Sequence, residues 1–574
     1  MSDVPDHHSD VEKIKRRSRH LRGTIVQGLA DMATGALAAD DTQLTKFHGF
    51  YQQDDRELRA ERKLQKLEPH YQFMLRMRLP GGCLTPQQWL ALDAACRAYG
   101  ESTMRITTRQ TFQFHRVLKK DLKPMMQAIH HAGLDTRGGC GDVNRNVVAT
   151  ANPHRSRIHA QVYDWAQKIS EHLLWRSRAY DEIWLDAPAS DVPEHEPLYG
   201  DSYLPRKFKV ALAIPPENDC DVLANDIALI AIVENGELQG FNVGVGGGMG
   251  ASYGIPSHYP RLASIIGFCT QQQLLAVVEQ IVGIQRDHGD RSDRMHARFK
   301  YTIDEHGLEW VKTELAQRLG QPLAAARPYH FSDNGDHYGW LEGDDGLWHL
   351  SLFIENGRLA DFADFPLLSA MREVAAEMSR QGIGEIRLSC NQNLILARIP
   401  VAHKDAIDAL ARRLGLLDGL RHSALRRASM ACVALPTCGL AMAEAERYLP
   451  DLIGKLDLIM RDLGLEDTTI VTRMTGCPNG CARPYLGEIA FTGKAPGKYN
   501  VYLGAAHNGE RLNKLYRENI AEEDILAALR PLLERYARER DDGEPFGDFV
   551  VRAGIINATL EGRQFHEQVL QPKT

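Results

Sequence analysis

The sequence lacks any apolar run approaching 18 residues, so it offers no membrane-spanning helix. Its first twenty residues, MSDVPDHHSDVEKIKRRSRH, are polar and lack the apolar centre of a secretory signal. A cytoplasmic location is therefore expected, and with it an absence of disulfides. Cysteine is scarce, ten in 574 residues, and in that compartment cysteines serve as metal ligands or small core residues. Excess positive charge is also missing. A net charge of −7 excludes a general nucleic-acid binder, though not a local basic cavity. The last absence is a convincing nucleotide fingerprint. Gly246, Gly248 and Ala251 satisfy G-x-G-x-x-A within GVGGGMGA, but ASYGIPSHYP, which runs on from it, holds turn residues and prolines where a helix is required. The glycines read instead as permitting close backbone approach to a bulky ligand. Electrons for any redox chemistry must then come from another polypeptide.

What is present is a set of four cysteines near the C-terminal end. Cys432 and Cys438 lie in ACVALPTC, Cys477 and Cys481 in TGCPNGC, with gaps of five, thirty-eight and three residues. Two short pairs brought together make a four-thiolate box, suited to an iron–sulfur cluster or to zinc. The five-residue gap exceeds the two-to-four spacing usual for zinc pairs, and neither gap matches the C-x2-C runs of bacterial ferredoxins, so the five-and-three combination is unusual. Pro478, Asn479 and Gly480 are turn formers that aim both flanking sulfurs inward and let backbone N–H groups reach them. A zinc knuckle and a thiol redox pair remain alternatives. Cys83, Cys96, Cys140, Cys220, Cys269 and Cys390 are scattered and read as core filler.

Basic residues recur on strand-like runs. Arg76 and Arg78 alternate in LRMRLP, Arg105 and Arg109 share a run, Arg145 lies in DVNRN, and Lys207 and Lys209 alternate in PRKFK. Residues two apart on a strand face one side, so Lys207 and Lys209 present two ammonium groups to one place. Converging cations in an acidic protein point to a small oxyanion or a carboxylate-rich cofactor. A solvated strand face is the plain alternative for any one pair.

The length predicts about three or four domains. Up to about Pro69 the chain is charge-rich with little apolar periodicity, and DDRELRAERKLQKLEP reads as an exposed helix or arm suited to docking. Beyond it the sequence repeats. RITTRQTFQFHR from Arg105 matches RLSCNQNLILAR from Arg387, sharing the arginine and the glutamine five residues on. FNVGVGGGMG from Phe241 matches YNVYLGAAHNG from Tyr499. Repetition in the same order predicts two fused copies of one αβ unit. Strands are expected in QFMLRMRLP, TMRITTRQTFQFH, KFKVALAI, HLSLFIENG, EIRLSCNQNLIL and EIAFTG. Helices are expected in LTPQQWLALDAACRAYG, DWAQKISEHLLWRSRAY, QQQLLAVVEQIVGIQRDHG and AEAERYLPDLIGKLDLIMRDLG.

Taken with FHGFYQQDDRELRAER, RLPGG, TTRQTFQFH, VNRNV, YLPRKFK, the triple glycine and GDFVVRAGII, the four cysteines make the chain resemble the sulfite and nitrite reductase family over nearly its whole length. The resemblance implies an α/β fold with mixed α+β sheets, three domains and an internal pseudo-twofold repeat. Its expected parts are an N-terminal arm for partner docking (1–73), two halves of a central domain (74–137 and 340–417), a first sirohaem and substrate-binding domain (138–339), and an iron–sulfur and sirohaem domain (418–574). It implies that Cys432, Cys438, Cys477 and Cys481 hold a 4Fe-4S cluster, with Cys481 shared with sirohaem iron. Arg105, Thr107, Arg109, Gln113 and His115, together with Asn479, would bind the cofactors. Arg76, Arg145, Lys207 and Lys209 would grip sulfite. The implied activity is six-electron reduction of sulfite to sulfide, with electrons from an NADPH-dependent flavoprotein (alpha) subunit. Ammonia-forming nitrite reduction, a ferredoxin-dependent sulfite reductase and a non-catalytic zinc protein are the competing readings. Lysine at 209 favours sulfite, since nitrite-type members tend to carry asparagine there. One departure is Gly141 in GGCGDVNRN, where relatives carry asparagine nearby, so no side-chain contact is assigned in that loop.

Overall fold

The computed structural model describes residues 7–151, 155–190 and 192–567. Its strands come in two sets of ten. The first set is β1 (Phe50–Asp54), β2 (Tyr71–Arg76), β3 (Cys83–Leu84), β4 (Met104–Ile106), β5 (Phe112–Val117), β6 (Val148–Ala149), β7 (Val210–Ala213), β8 (Ile227–Glu234), β9 (Glu237–Val245) and β10 (Ser264–Thr270). The second is β11 (Gly339–Glu342), β12 (Trp348–Leu352), β13 (Arg358–Leu359), β14 (Glu385–Leu388), β15 (Leu394–Ile399), β16 (Ser429–Ala431), β17 (Thr472–Thr475), β18 (Ile489–Ala495), β19 (Lys498–Leu503) and β20 (Lys514–Ile520).

Four five-stranded sheets result, ordered β1-β2-β5-β4-β13, β10-β9-β8-β7-β6, β11-β12-β15-β14-β3 and β16-β17-β18-β19-β20. The third sheet repeats the first and the fourth repeats the second. The expected duplication is therefore present in the strand order itself. One feature binds the copies together: β3 of the first copy pairs with β14, and β13 of the second pairs with β4. The first three sheets share one apolar core, and β16–β20 pack a second with the helices around them.

The repeated motifs fold as hairpins, not as single long strands. RITTRQTFQFHR divides into β4 and β5, and RLSCNQNLILAR into β14 and β15. The break falls at the shared glutamine. Gln110 and Gln392 take left-handed φ values of 51° and 69°, which turns the chain. Gln110 Nε2 donates to the Ala149 carbonyl at 2.8 Å and Gln392 Nε2 to the Ala431 carbonyl at 2.9 Å. Arg109 consequently sits in a hairpin loop rather than on a strand beside Arg105.

Three expected helices form much as read: Pro86–Tyr99, Leu274–His288 and Leu449–Asp462. The first opens with a capping box between Thr85 and Gln88 and with proline inside its first turn. The run from Asp164 is instead two helices, Arg157–His172 and Ala179–Trp184.

The N-terminal segment departs most from expectation. Leu21, Ile25, Leu37, Leu44 and Phe47 are buried in the first core. Glu12 and Lys15, on the helix Asp10–Arg17, are each 1% exposed. They pair with each other, and Arg291 reaches Glu12 while Asp142 stands 3.8 Å from Lys15. Charges that look solvent-bound in sequence are here neutralised by partners far along the chain. The stretch around the helix Arg59–Leu64 matches the exposed arm, with Leu64 84% exposed. Among the described residues no helix is long and apolar enough to cross a membrane.

Candidate active site

Strand β16 runs into Cys432 and β17 into Cys477. The two strands are parallel neighbours, with Ala431 opposite Met474, so both cysteine pairs emerge at one end of the sheet. Cys432 and Cys477 are buried, Cys438 is half-buried and Cys481 is exposed. The Gly476 N–H points at the Cys432 sulfur, 3.4 Å away. Gly476 has no room for a side chain, since a Cβ would lie 2.6 Å from the Ala443 carbonyl oxygen. Burial raises the Cys432 thiol well above its ordinary value, and Cys481, Cys477 and Cys438 add to the rise. Cys477 is pushed up to about 12 by burial and then by Cys481, against hydrogen bonds from Asn479. Four thiols that each penalise their neighbours' charge are stabilised as thiolates by a cationic metal core. Among the described residues no three or more such groups close on a single ion. Four soft sulfur donors converging at one end of the sheet are a donor set that suits an iron–sulfur core.

The glycine-rich loop packs closely against neighbouring backbone. A Cβ on Gly247 would lie 2.1 Å from the Leu223 carbonyl, and one on Gly480 would lie 2.7 Å from the Met249 carbonyl. Ala251 N–H donates to the Pro478 carbonyl at 2.9 Å. The loop therefore packs on the CPNGC turn, and its glycines let two backbones approach each other. Lys300 braces it by donating to the carbonyls of Gly248, Gly250 and Tyr259.

Lys207 and Lys209 flank Phe208, which is fully buried and bridges to Asn144. The strand read from sequence begins only at Val210, so both lysines lie just before β7, half-buried on either side of the buried Phe208. Neither ammonium has a hydrogen bond or ion pair among the described residues. Burial lowers Lys207 to about 7, helped by Arg206, Arg298 and Arg145 and opposed by Cys481. Lys209 is driven well below its ordinary value by burial, then by Lys207, Arg109 and Arg298. These cations and Cys481 thus share one electrostatic neighbourhood. Arg145 donates to the Gly141 carbonyl at 2.8 Å and, with Arg76, to the Gly139 carbonyl, at 3.1 and 3.4 Å. Arg78 does not join Arg76, because it forks onto Asp135 at 2.6 and 3.0 Å.

A second cationic face lies on the first sheet. Arg76, Gln113, Arg105 and Arg358 stand opposite one another across β2, β5, β4 and β13, and paired residues share a face. His115, two residues along β5, joins them. Burial and then Arg358, Arg105 and Arg76 hold its ring neutral. Buried polar atoms without partners are the signature of this region: Arg76 Nε, Arg109 Nε and His115 Nδ1. They fit a large ligand rich in acceptors. Arg105 is less free than its sequence position promised. It is paired to Glu446 at 2.8 Å and donates to the Ala431 carbonyl at 2.8 Å, one residue before Cys432. Arg109 is held by the Asn225 side chain at 2.5 Å and by the carbonyls of Asn146 and Val210. The Thr107 hydroxyl accepts from the Arg109 N–H at 3.2 Å, so it shapes the hairpin loop.

Gly141 has φ +92°, and a Cβ there would stand 3.0 Å from Phe47 Cα. That contact explains why this loop carries glycine where a side chain was looked for. Sequence reasoning missed Tyr51, which stands beside Arg145 and Arg76 near Cys140. It also missed Arg298, paired with Asp226 at 2.9 Å, although Arg298-Phe299-Lys300 echoes Lys207-Phe208-Lys209 in sequence.

The Nitrite/Sulfite reductase ferredoxin-like half domain matches residues 65–132 and 341–414, and the Nitrite and sulphite reductase 4Fe-4S domain matches residues 164–323. The sulfite reductase [NADPH] hemoprotein beta-component of Anoxybacillus flavithermus is 57% identical, covering 97% of this chain and 98% of its own. The chain belongs to the nitrite and sulfite reductase family. Its Bacillus subtilis relative of the same description is 56% identical over 97% of this chain and 98% of its own. The structure of the Mycobacterium tuberculosis NirA protein overlays with a TM-score of 0.75 at 23% identity, covering 96% of this chain and 97% of that one, and so shares the family fold. The 4Fe-4S family model falls on the first copy of the duplicated unit, while the four cysteines lie in the second.

Proposed function

We propose that this family member reduces sulfite to sulfide by six electrons, as the haemoprotein component of an assimilatory NADPH-sulfite reductase. The observation that carries the reading is Lys207, close enough to feel both Cys481, the exposed member of the cysteine set, and Arg145, with Lys209 beside it and neither lysine in an ion pair among the described residues. In this reading Cys432, Cys438, Cys477 and Cys481 would hold a 4Fe-4S cluster, and Cys481 would be the cysteine that also serves the sirohaem. The face formed by Arg76, Arg105, Gln113 and His115, with Thr107, Arg109 and Asn479 at its edges, takes the carboxylates of sirohaem. When bound, these cofactors would supply single-electron chemistry and would favour S–O cleavage.

The chain's own residues bind the dianion and handle protons. Arg76 and Arg145 are fixed in advance by the shared Gly139 carbonyl, so little is lost in ordering them on substrate. Lys207 and Lys209 hold their protons loosely because they are buried among cations. A bound dianion restores their charge, and each S–O bond that breaks gives the departing oxygen a claim on those protons. The electron donor is an NADPH-dependent flavoprotein alpha subunit, in a cytoplasmic enzyme. The segments 74–137 and 340–417 form one central domain, a grouping supported by the exchange of β3 and β13. The segments 138–339 and 418–574 flank it, while 1–73 serves mainly as its own packing.

The test is anaerobic reduction of sulfite by a dye donor, alongside the visible spectrum. Strong haem-type absorption and one sulfide per six electrons are expected. A colourless protein containing zinc would overturn the reading. The nitrite alternative is opposed by Lys209, and a higher kcat/KM for nitrite than for sulfite would revive it.

A further inference from the structure

We propose that Arg56 is a positioning residue for the metal centre, clamping the loop of Cys438 and placing a fixed positive charge beside it. The inference rests on the four-cysteine cluster reading above. Arg56 follows β1 directly, 382 residues before the cysteine it touches. One guanidinium nitrogen, Nη1, donates to the Cys438 carbonyl at 3.1 Å and to the Ala441 carbonyl at 2.7 Å. These carbonyls bracket Gly439 and Leu440, and Leu440 is 71% exposed. The loop therefore has solvent on one side and Arg56 on another.

The arginine is itself held in place. Asp55 is buried, its backbone N–H donates to the His70 carbonyl at 3.0 Å, and its carboxylate accepts the Glu57 N–H at 3.0 Å. That turn aims the side chain of Arg56 away from its own segment. The neighbouring Glu57 is spent on Arg447, at 3.4 Å. Arg56 itself forms no ion pair among the described residues; Asp54, paired to Arg59, is a nearby acid, and the charge of Arg56 also reaches Cys438.

Two consequences follow from charge and geometry. Charge-assisted hydrogen bonds to carbonyls restrain the loop that keeps Cys438 on the metal, so their loss should speed iron release. Reduction adds negative charge to the centre, and a nearby cation favours the reduced form. Removing the cation should lower the reduction potential.

The experiment uses the holoenzyme, with iron and labile sulfide measured first. Four of each per chain in the wild type establishes the cluster, and their absence would fail that reading independently of Arg56. Arg56→Met and Arg56→Lys are then compared for iron release to a ferrous chelator and for the cluster midpoint in an EPR-monitored redox titration. Arg56→Met should release iron about tenfold faster and show a more negative midpoint, with the sirohaem spectrum retained. Arg56→Lys, which keeps the charge, should bring the midpoint back toward wild type. An unchanged release rate or an unchanged midpoint in Arg56→Met overturns the proposal. Should Arg56→Met fail to fold, a wild-type release rate in Arg56→Lys, whose amine cannot reproduce both carbonyl contacts, overturns it too.

Discussion

At the scale of single residues, charge decides most of what this site can do. Lys209 lies near Lys207, Arg109 and Arg298, with Asp226 the opposing charge and no ion pair among the described residues. Replacing it with asparagine removes one cation from a site proposed for a dianion. Coulomb attraction scales with ligand charge, so Lys209→Asn should lower kcat/KM for sulfite about tenfold or more and for singly charged nitrite less. The check is the ratio of the two constants with a dye donor, and an unchanged ratio would remove Lys209 from the substrate. Cys481→Ser should lose iron, labile sulfide and haem coupling, because serine is a poor ligand for a soft core, while Cys96→Ser, deep in the first core, should retain all three. Asp219 tests the duplication at one position. Asp221 and Arg483 begin equivalent short helices, Val222–Ala224 and Pro484–Leu486, and both are left-handed. Two residues before them stand Asp219 in one copy and Cys481 in the other. Burial raises Asp219 to about 8, opposed by the Ala151 N–H and reinforced by Asp336 and Glu217. Between the ordinary value near 4 and about 8, the folded protein holds a proton that the unfolded chain has released. Stability on this account is full below about pH 4 and falls as pH rises toward 8. Asp219→Asn should therefore raise Tm at pH 8 and leave it nearly unchanged at pH 4. Equal shifts in calorimetry at both values would count against the buried acid.

At the scale of elements, the N-terminal segment shows where sequence patterns mislead. Its charges lack an apolar face in any single window, so it reads as an exposed arm. In the fold, Glu12 and Lys15 find Arg291 and Asp142, which no local pattern can reveal, and Leu21 and Ile25 enter the core singly. Full burial of each such side chain is worth about 1.5–3 kcal/mol. Deleting residues 1–30 should therefore lower Tm, and NADPH-driven and dye-driven activities should fall together with cofactor content. Loss of the NADPH-driven activity alone would instead return the segment to partner docking. The cysteine box and the K-F-K alternation were legible because each depends on spacing within a few residues. The hairpins were not. A left-handed glutamine gives no compositional signal, and only its hydrogen bond to Ala149 or Ala431 explains why it sits there.

At the scale of the whole molecule, duplication was legible from two short matches, and it reaches further than those matches showed. The same offset that relates Gln110 to Gln392 carries Arg145 to Arg427. The offset of the parallel strands carries Lys207 and Lys209 to Thr469 and Val471. Arg427, Thr469 and Val471 line one cavity of about 220 Å³. At the positions equivalent to Arg145, Lys207 and Lys209 the second copy thus has one cation and neither lysine. The first copy keeps the lysines but has no cysteine box. In the proposed site, the lysines of one copy act together with the cysteines of the other.

The joint between the copies could not be read from sequence, because β3 and β13 are two residues long and carry no periodicity. Yet they fix how the chain must fold. Each copy completes its sheet with a strand from the other, so neither copy closes its own edge. The joint is reinforced at Asp221, whose carboxylate accepts from Arg473 and Arg483 of the second copy while fully buried. Removing one partner from such a group leaves a buried charge uncompensated, at a cost of about 3–5 kcal/mol. Residues 1–337 and 338–574 expressed separately should therefore be aggregated or lack a cooperative thermal transition. Co-expressed, the two pieces should assemble into one soluble particle that binds cofactors, since every strand pairing is then available. The measurement is calorimetry and gel filtration on each piece and on the pair. A single piece that melts cooperatively near the Tm of the intact chain would show that the strand exchange is an ornament on two independent units, not the element that makes them one protein.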